Sequence, residues 1–210
     1  MLHLLPCRLL CANPLVAVSD GFLDKPACDR IIASAQGRMR RAEVGTDNAE
    51  LEVSDERTNS DCWLNPTTDS EAAALMQRFA ELVALPVTHG EGLSVLHYAK
   101  AEAFKPHADG IWSGADPEAI AAFEADGGQR LFTAMVYLNA VEAGGATAFP
   151  KLGLGIDPQP GRVLIFANTA AGDSDATIRA VHAGEPVTAG EKWAAVSWWR
   201  QRPLGSSART

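Results

Sequence analysis

The chain is poor in the residues that staple small folds. Its four cysteines, Cys7, Cys11, Cys28 and Cys62, all fall in the first third of 210 residues, and none forms a CxxC pair. No disulfide framework is encoded: Cys7 and Cys11 are close enough to pair opportunistically, but reduced structural thiols are expected, and with them a cytoplasmic setting. Positive charge is also short, with 18 Lys and Arg against 26 Asp and Glu and a net charge of −8. That balance argues against nucleic acid or an anionic membrane as a partner. No apolar run approaches the roughly 18 residues of a membrane-spanning helix. Residues 1–10 are apolar but interrupted by Pro6 and Arg8, with no basic region before them and no small-residue cleavage site, so no signal peptide is expected. Repeats and low-complexity tracts are absent. What remains is an ordinary globular composition, 47% hydrophobic and 21% charged. At this length a single domain over 1–210 can bury a core without staples.

The first third reads as a helical support, about residues 15–90. Residues 15–19 (Leu-Val-Ala-Val-Ser) predict a strand ended by Asp20-Gly21. Asp24 predicts a helix N-cap with Pro26 in the first turn, where its missing N–H costs nothing. Ile31, Ile32 and Ala35 give that helix an apolar side, and Arg38, Arg40 and Arg41 read as its solvated basic end. Residues 43–68 read as a polar loop in which Trp63 is either a core plug or part of a site wall. Thr68 or Asp69 predicts the cap of a second helix, with Ala72, Leu75, Met76, Phe79 and Leu82 at helical spacing.

From residue 91 to about 201 the pattern turns to strands. Expected strands cover 93–100, 105–109, 131–139, 147–149, 162–168, 178–182 and 193–200, separated by Gly and Pro turns. Between them, 110–128 reads as a loop carrying a short helix at 117–125 that could act as a lid. Many short strands of this kind predict an α+β, mainly β fold, a double-stranded β-helix or jelly roll buttressed by the N-terminal helices, in which antiparallel closure protects the edges.

Two stretches carry chemistry: Lys105-Pro106-His107-Ala108-Asp109-Gly110, and Val181-His182-Ala183-Gly184 with Lys192 ten residues after the histidine. Side chains alternate along a strand, so His107 and Asp109 point the same way and can grip one ion. A second histidine from across a barrel would complete a two-histidine, one-carboxylate face and leave about three positions of an octahedral iron open. His3, His89 and His97 keep the ordinary reading of satisfied core histidines. Lys192 is either a solvated strand end or a buried ammonium, tolerable in a dry barrel only when paired with an anion.

These stretches resemble the iron(II)- and 2-oxoglutarate-dependent dioxygenases of the prolyl 4-hydroxylase type. The resemblance rests on Leu93-Ser94-Val95-Leu96-His97-Tyr98 running to His107-Ala108-Asp109, and on Gly128-Gln129-Arg130-Leu131-Phe132-Thr133 running to Tyr137-Leu138-Asn139. Gly144-Gly145-Ala146-Thr147-Ala148-Phe149-Pro150, Pro160-Gly161-Arg162-Val163-Leu164-Ile165-Phe166, and His182 through Lys192 to Trp198 complete it. It spans residues 16–200, weakest in the first third. It implies that His107, Asp109 and His182 are the iron ligands and that Lys192 pairs with the distal carboxylate of 2-oxoglutarate, with Thr147 as a hydroxyl donor. Tyr98 and Tyr137 would line the co-substrate pocket, and Arg57, Arg130 and Trp198 would stand on the substrate side. The implied cofactors are Fe(II), 2-oxoglutarate and O2, with ascorbate extending the resemblance. The implied reaction hydroxylates an unactivated C–H, with a prolyl residue of a protein or peptide as substrate and succinate and CO2 as products.

The sequence departs from the pattern in three places. No glycine lies between Tyr98 and His107, Arg57 is followed by Thr58-Asn59-Ser60, and Arg200 stands where some relatives place a histidine. None touches the metal set, but each bears on the substrate. A free amino acid or other small molecule is therefore the alternative substrate, and a catalytically silent jelly-roll binding protein the alternative class. A nucleic-acid demethylase conflicts with the acidic charge and the Lys192 motif, and a zinc hydrolase leaves the lysine unexplained.

Overall fold

The structure is a computed structural model that describes residues 6–45 and 51–205; His3 lies outside them. Its elements run β1 (Arg8–Ala12), β2 (Leu15–Ser19), α1 (Lys25–Gln36), β3 (Arg40–Arg41), β4 (Glu43–Gly45), β5 (Leu51–Val53), β6 (Ser60–Leu64) and α2 (Ser70–Val83). Then come β7 (Leu93–Tyr98), β8 (Phe104–His107), α3 (Pro117–Ala125), β9 (Arg130–Tyr137), β10 (Ala143–Gly144), β11 (Thr147–Phe149) and β12 (Leu154–Ile156). β13 (Val163–Ala167), β14 (His182–Gly184), β15 (Val187–Ala189) and β16 (Lys192–Arg200) complete the chain.

Eight strands form one antiparallel sheet in the order β1-β2-β13-β9-β16-β7-β6-β3, and four form a second, β12-β11-β14-β8. Two-residue alternation splits the large sheet into two cores. Ala134 and Val136 of β9, Val95 of β7, and Ala195 and Trp199 of β16 face the helices, where they meet Ile31, Leu75, Met76 and Phe79. The next residues along the same strands, Met135 and Tyr137, Leu96 and Tyr98, Ala194 and Val196, face the small sheet and meet Phe149 and Ile156. This is the expected jelly roll, and the functional residues lie between its two sheets.

Both support helices begin where a side chain can satisfy their orphan N–H groups. Asp24 accepts from Ala27 N at 2.8 Å, and Asp69 accepts from Glu71 N and Ala72 N at 3.1 and 3.0 Å. α3 occupies the expected residues, capped by Asp116. At Gly161, φ is +73° and a Cβ would collide with the Leu23 carbonyl, which explains the glycine in the turn into β13.

Four local expectations change. Residues 43–68 are not one loop: they carry β4, β5 and β6, and β6 pairs with β7 in register Cys62↔Val95. Their polar residues fit because β6 lies toward the margin of the large sheet, where one face stays wet, and β4 and β5 form a separate two-stranded ribbon. β1 joins the opposite margin by pairing with β2, although residues 8–12 show no alternation. Of the basic cluster, only Arg38 closes the helix end, its Nε donating to Ser34 O at 2.9 Å. Arg40 and Arg41 instead pair with Asp61 and Ser60 in the sheet. Finally, 178–182 is not a strand: Ile178–Ala180 forms a 3-10 turn, and pairing starts only at His182. All four cysteines are free, with Cys28 and Cys62 buried.

Candidate active site

Strand register brings the two histidines together across 75 residues of sequence. His182 of β14 lies directly opposite His107 of β8, and their ring centroids are 4.3 Å apart. β8 ends at His107, so Asp109 sits in the following turn rather than two places along the same strand. The turn still delivers it: Asp109 Oδ1 lies 3.7 Å from His107 Nε2, and Oδ2 lies 3.6 Å from His182 Nε2. The ligating atoms of the three all lie within 4.8 Å of one another.

The protonation states suit a cation. Each ring's Nδ1 faces a carbonyl two residues earlier, Lys105 O at 2.8 Å and Ala180 O at 3.1 Å. A carbonyl can only accept, so Nδ1 carries the hydrogen and Nε2 presents a bare lone pair to the cavity. Burial, reinforced by the neighbouring His182, pushes the His107 imidazole down to about 3, so it is neutral at physiological pH. Burial works against an ionised Asp109. A proton on His182 or His107 would oppose it, as do the Arg130 guanidinium and the Thr133 hydroxyl, and together these set the carboxyl below the usual range.

The cavity beside this face has a volume of about 50 Å³ and is partly open to solvent. Lys192 lines it; the residue is 2% exposed, and Nζ lies 5.0 and 5.5 Å from the ring centres of Tyr98 and Tyr137. Among the described residues no carboxylate lies within 4.0 Å of it. Burial, only partly opposed by the charge of Glu185, pushes its ammonium down to about 7. A buried cation without a partner is costly, and its presence beside an open cavity marks an anion site. Thr147 lies next to it, opposite Gly184 in the sheet. Its Oγ1 accepts from Tyr137 OH at 2.8 Å, leaving the threonine's own hydrogen to donate onward. Burial raises the Tyr98 phenol to about 12, so it stays protonated.

These features meet the needs of the two groups the motifs imply. Three donors on one face, with the opposite side open to a cavity, suit an octahedral divalent iron. An ammonium and a hydroxyl in the cavity's lining suit the distal carboxylate of a short dicarboxylate.

Of the residues expected on the substrate side, Trp198 and Arg57 line the cavity and Arg130 does not. Trp198 tilts against Trp63 at 5.8 Å between centroids; Trp63 itself does not line the cavity but backs the residue that does. Arg57 also lines it, but its guanidinium donates to Asn59 Oδ1, Glu43 O and Asp61 Oδ2 at 3.1, 2.9 and 3.0 Å. Arg130 sits behind the metal face rather than in the cavity. It holds Glu91 through two bonds of 2.6 Å and donates from Nη1 to Asp109 O at 3.2 Å. Arg200 shares the same Glu91 carboxylate. His97 pairs with Glu191 at 2.8 Å near the surface, and His89 bonds Arg200 O at 2.9 Å; both stand apart from the site.

Sequence reasoning missed Glu91, Gln129 and Asn168. Gln129 holds the stretch after Asp109, bonding Ile111 N and O at 2.9 and 2.8 Å. The signal available was a buried polar residue at the end of an apolar run, as in Val163-Leu164-Ile165-Phe166-Ala167-Asn168.

Comparison with known proteins agrees with this geometry. The family model described as the 2OG-Fe(II) oxygenase superfamily matches residues 93–200. "Probable prolyl 4-hydroxylase 7" of Arabidopsis thaliana is 31% identical over 208 residues, covering 89% of this chain and 62% of that protein. "Prolyl 4-hydroxylase subunit alpha-3" of Homo sapiens is 32% identical, covering 93% of this chain and 36% of the human protein. The chain thus spans part of the length of these relatives. A solved 2OG complex of viral collagen prolyl hydroxylase from Paramecium Bursaria Chlorella virus-1 superimposes with a TM-score of 0.68 at 26% identity, covering 87% of this chain and 94% of that one. The chain belongs to the 2OG-Fe(II) oxygenase superfamily, among the proteins of prolyl 4-hydroxylase type.

Proposed function

We propose that this chain hydroxylates a prolyl residue within a protein or peptide, using Fe(II), 2-oxoglutarate and O2. The observation that carries the reading is the pairing, in one cavity, of the His107–Asp109–His182 face with a buried Lys192 that lacks a carboxylate. When bound, iron and 2-oxoglutarate supply the oxidising chemistry: one atom of O2 goes to the substrate as a hydroxyl, the other to succinate, and CO2 is released. The protein's own work is placement. His107 and His182 present Nε2, Asp109 presents a carboxylate, and all three are fixed by hydrogen bonds behind them. Lys192 and Thr147 hold the far carboxylate of the dicarboxylate, and Tyr98 and Tyr137 shape the slot between. Ascorbate fits this chemistry as an accessory reductant.

The cavity favours a peptide over a free amino acid. A free amino acid brings a carboxylate that needs a cation, yet each guanidinium near the site already holds one: Arg57 holds Asp61, and Arg130 and Arg200 share Glu91. A prolyl residue within a chain is neutral and offers an apolar ring, which the apolar part of the lining, Leu96, Met135, Val196 and Trp198, can receive. The segment 110–128 is the proposed lid. Ser113 is tied to Asp175 by bonds of 2.7 and 2.6 Å, and Phe123 of α3 lies under Arg200, with 4.2 Å from guanidinium to ring. Closure there would exclude water from the cavity. A reducing cytoplasmic setting accords with the free thiols; among the described residues no helix is long and apolar enough to cross a membrane.

Incubation with proline-containing peptides, Fe(II), 2-oxoglutarate and ascorbate tests the proposal. The expected result is a gain of one oxygen atom on proline, read by mass spectrometry, with an equal amount of succinate. Turnover of free proline in preference to every peptide would contradict it.

A further inference from the structure

Behind the metal face lies a chain of three buried polar side chains. Thr133 Oγ1 donates to Asp109 Oδ2 at 2.7 Å, and Asn168 Nδ2 donates to Thr133 Oγ1 at 3.0 Å. Asp109, Thr133 and Asn168 are 6, 2 and 1% exposed, so water does not compete for these bonds. A threonine hydroxyl has one hydrogen and two lone pairs. With the Asn168 amide donating into the oxygen, the single hydrogen is left for Asp109. The reverse amide orientation would claim that hydrogen for Asn168 Oδ1 and turn a hydroxyl lone pair on an ionised carboxylate. Only the orientation with Nδ2 toward Thr133 leaves the hydroxyl hydrogen for Asp109 Oδ2. It also leaves Asn168 Oδ1 buried with no hydrogen-bond partner, so the amide is held for what its NH2 group does. The Asn168 backbone is anchored at both ends, its N–H donating to Leu131 O at 2.9 Å and its carbonyl accepting from Thr177 N at 3.0 Å. The first partner leads to Thr133 and the second to His182. A Cβ on Gly110, the neighbour of Asp109, would stand 3.4 Å from the Asn168 Cβ.

Resting on the metal-centre reading above, we propose that Asn168 is a positioning residue that acts through the Thr133 hydroxyl to hold Asp109 with Oδ2 engaged by protein, so that it binds the metal through one oxygen. The second oxygen is thereby kept from closing a chelate, and the positions needed by the co-substrate and O2 stay open.

Cobalt(II) titration of the metal-free protein, followed by visible absorption, tests this without relying on turnover. Five proteins are compared: wild type, Asn168→Leu, Thr133→Val, the double variant, and Thr133→Ser as the control that restores the hydroxyl. Asn168→Leu is expected to weaken cobalt binding about tenfold and to shift the ligand-field bands, as loss of an outer-shell partner does. Thr133→Val should do the same, Thr133→Ser should behave as wild type, and the double variant should be no worse than Thr133→Val alone, because Asn168 acts through that hydroxyl. Losses that add in the double variant, or Asn168→Leu with wild-type affinity and spectrum, would overturn the relay. If Asn168→Leu does not fold, the contrast between Thr133→Ser and Thr133→Val carries the test: equal spectra and affinities would overturn it. Wild-type protein that binds no cobalt would instead overturn the metal centre itself.

Discussion

Replacing Lys192 with alanine is expected to raise the 2-oxoglutarate concentration for half-saturation by about a hundredfold or more while leaving metal affinity nearly unchanged. The magnitude follows from leaving one partner of a buried charge pair unmatched, about 3–5 kcal/mol. The separation follows from the site, since Lys192 lines the same cavity but is not one of the grouped ligands His107, Asp109 and His182. A pH dependence accompanies it. In the folded, ligand-free protein the ammonium is pushed down to about 7, against about 10.4 in the unfolded chain. Between these values the unfolded chain holds more protons, so this group makes ligand-free stability rise with pH across that window and removes stability below it. Binding a dicarboxylate requires the charged lysine, so co-substrate affinity should fall about tenfold per pH unit above about 7. Calorimetric titration of 2-oxoglutarate at several pH values, with Lys192→Met alongside, measures both effects. Affinity that is flat from pH 7 to 9, or equal in the variant, would contradict the assignment.

Asp109→Ala should abolish turnover, by a factor of at least about a thousand. The aspartate is the one carboxylate of the ligand set, and its removal leaves two neutral imidazoles that bring no charge to a divalent ion. The loss should appear first in metal content: the variant should retain little iron after gel filtration, whereas Lys192→Ala retains it. Loss of activity with full metal occupancy would show that Asp109 acts on substrate rather than on the ion.

The parts of this architecture that were legible in the sequence are those written in local terms. Asp24, Asp69 and Asp116 mark helix starts because capping is settled within three residues. β9 and β16 alternate because each has a different core on either face. His107, Asp109, His182 and Lys192 stood out through spacing and chemistry. The illegible parts are pairings across space. β1 and β6 lie toward the margins of the large sheet, and β4 and β5 pair only with each other, so the apolar signal in all of them is weak. Residues 178–182 are apolar enough for a strand, but Thr177 caps a tight turn there, its hydroxyl accepting from Arg179 N at 3.4 Å. Glu91 meets Arg130 across 39 residues and Asn168 meets Thr133 across 35; no local pattern records such contacts. The same limit applies to Arg57 and Arg130, whose positive charge suggests a substrate contact until their partners are seen.

The most direct test of the account is anaerobic titration of the metal-free protein with Fe(II) and 2-oxoglutarate, watching for the visible metal-to-ligand charge-transfer band. The account predicts a band that saturates at one equivalent of iron, vanishes in His107→Ala and His182→Ala, and needs far more co-substrate in Lys192→Ala. No band at saturating iron and 2-oxoglutarate would contradict it.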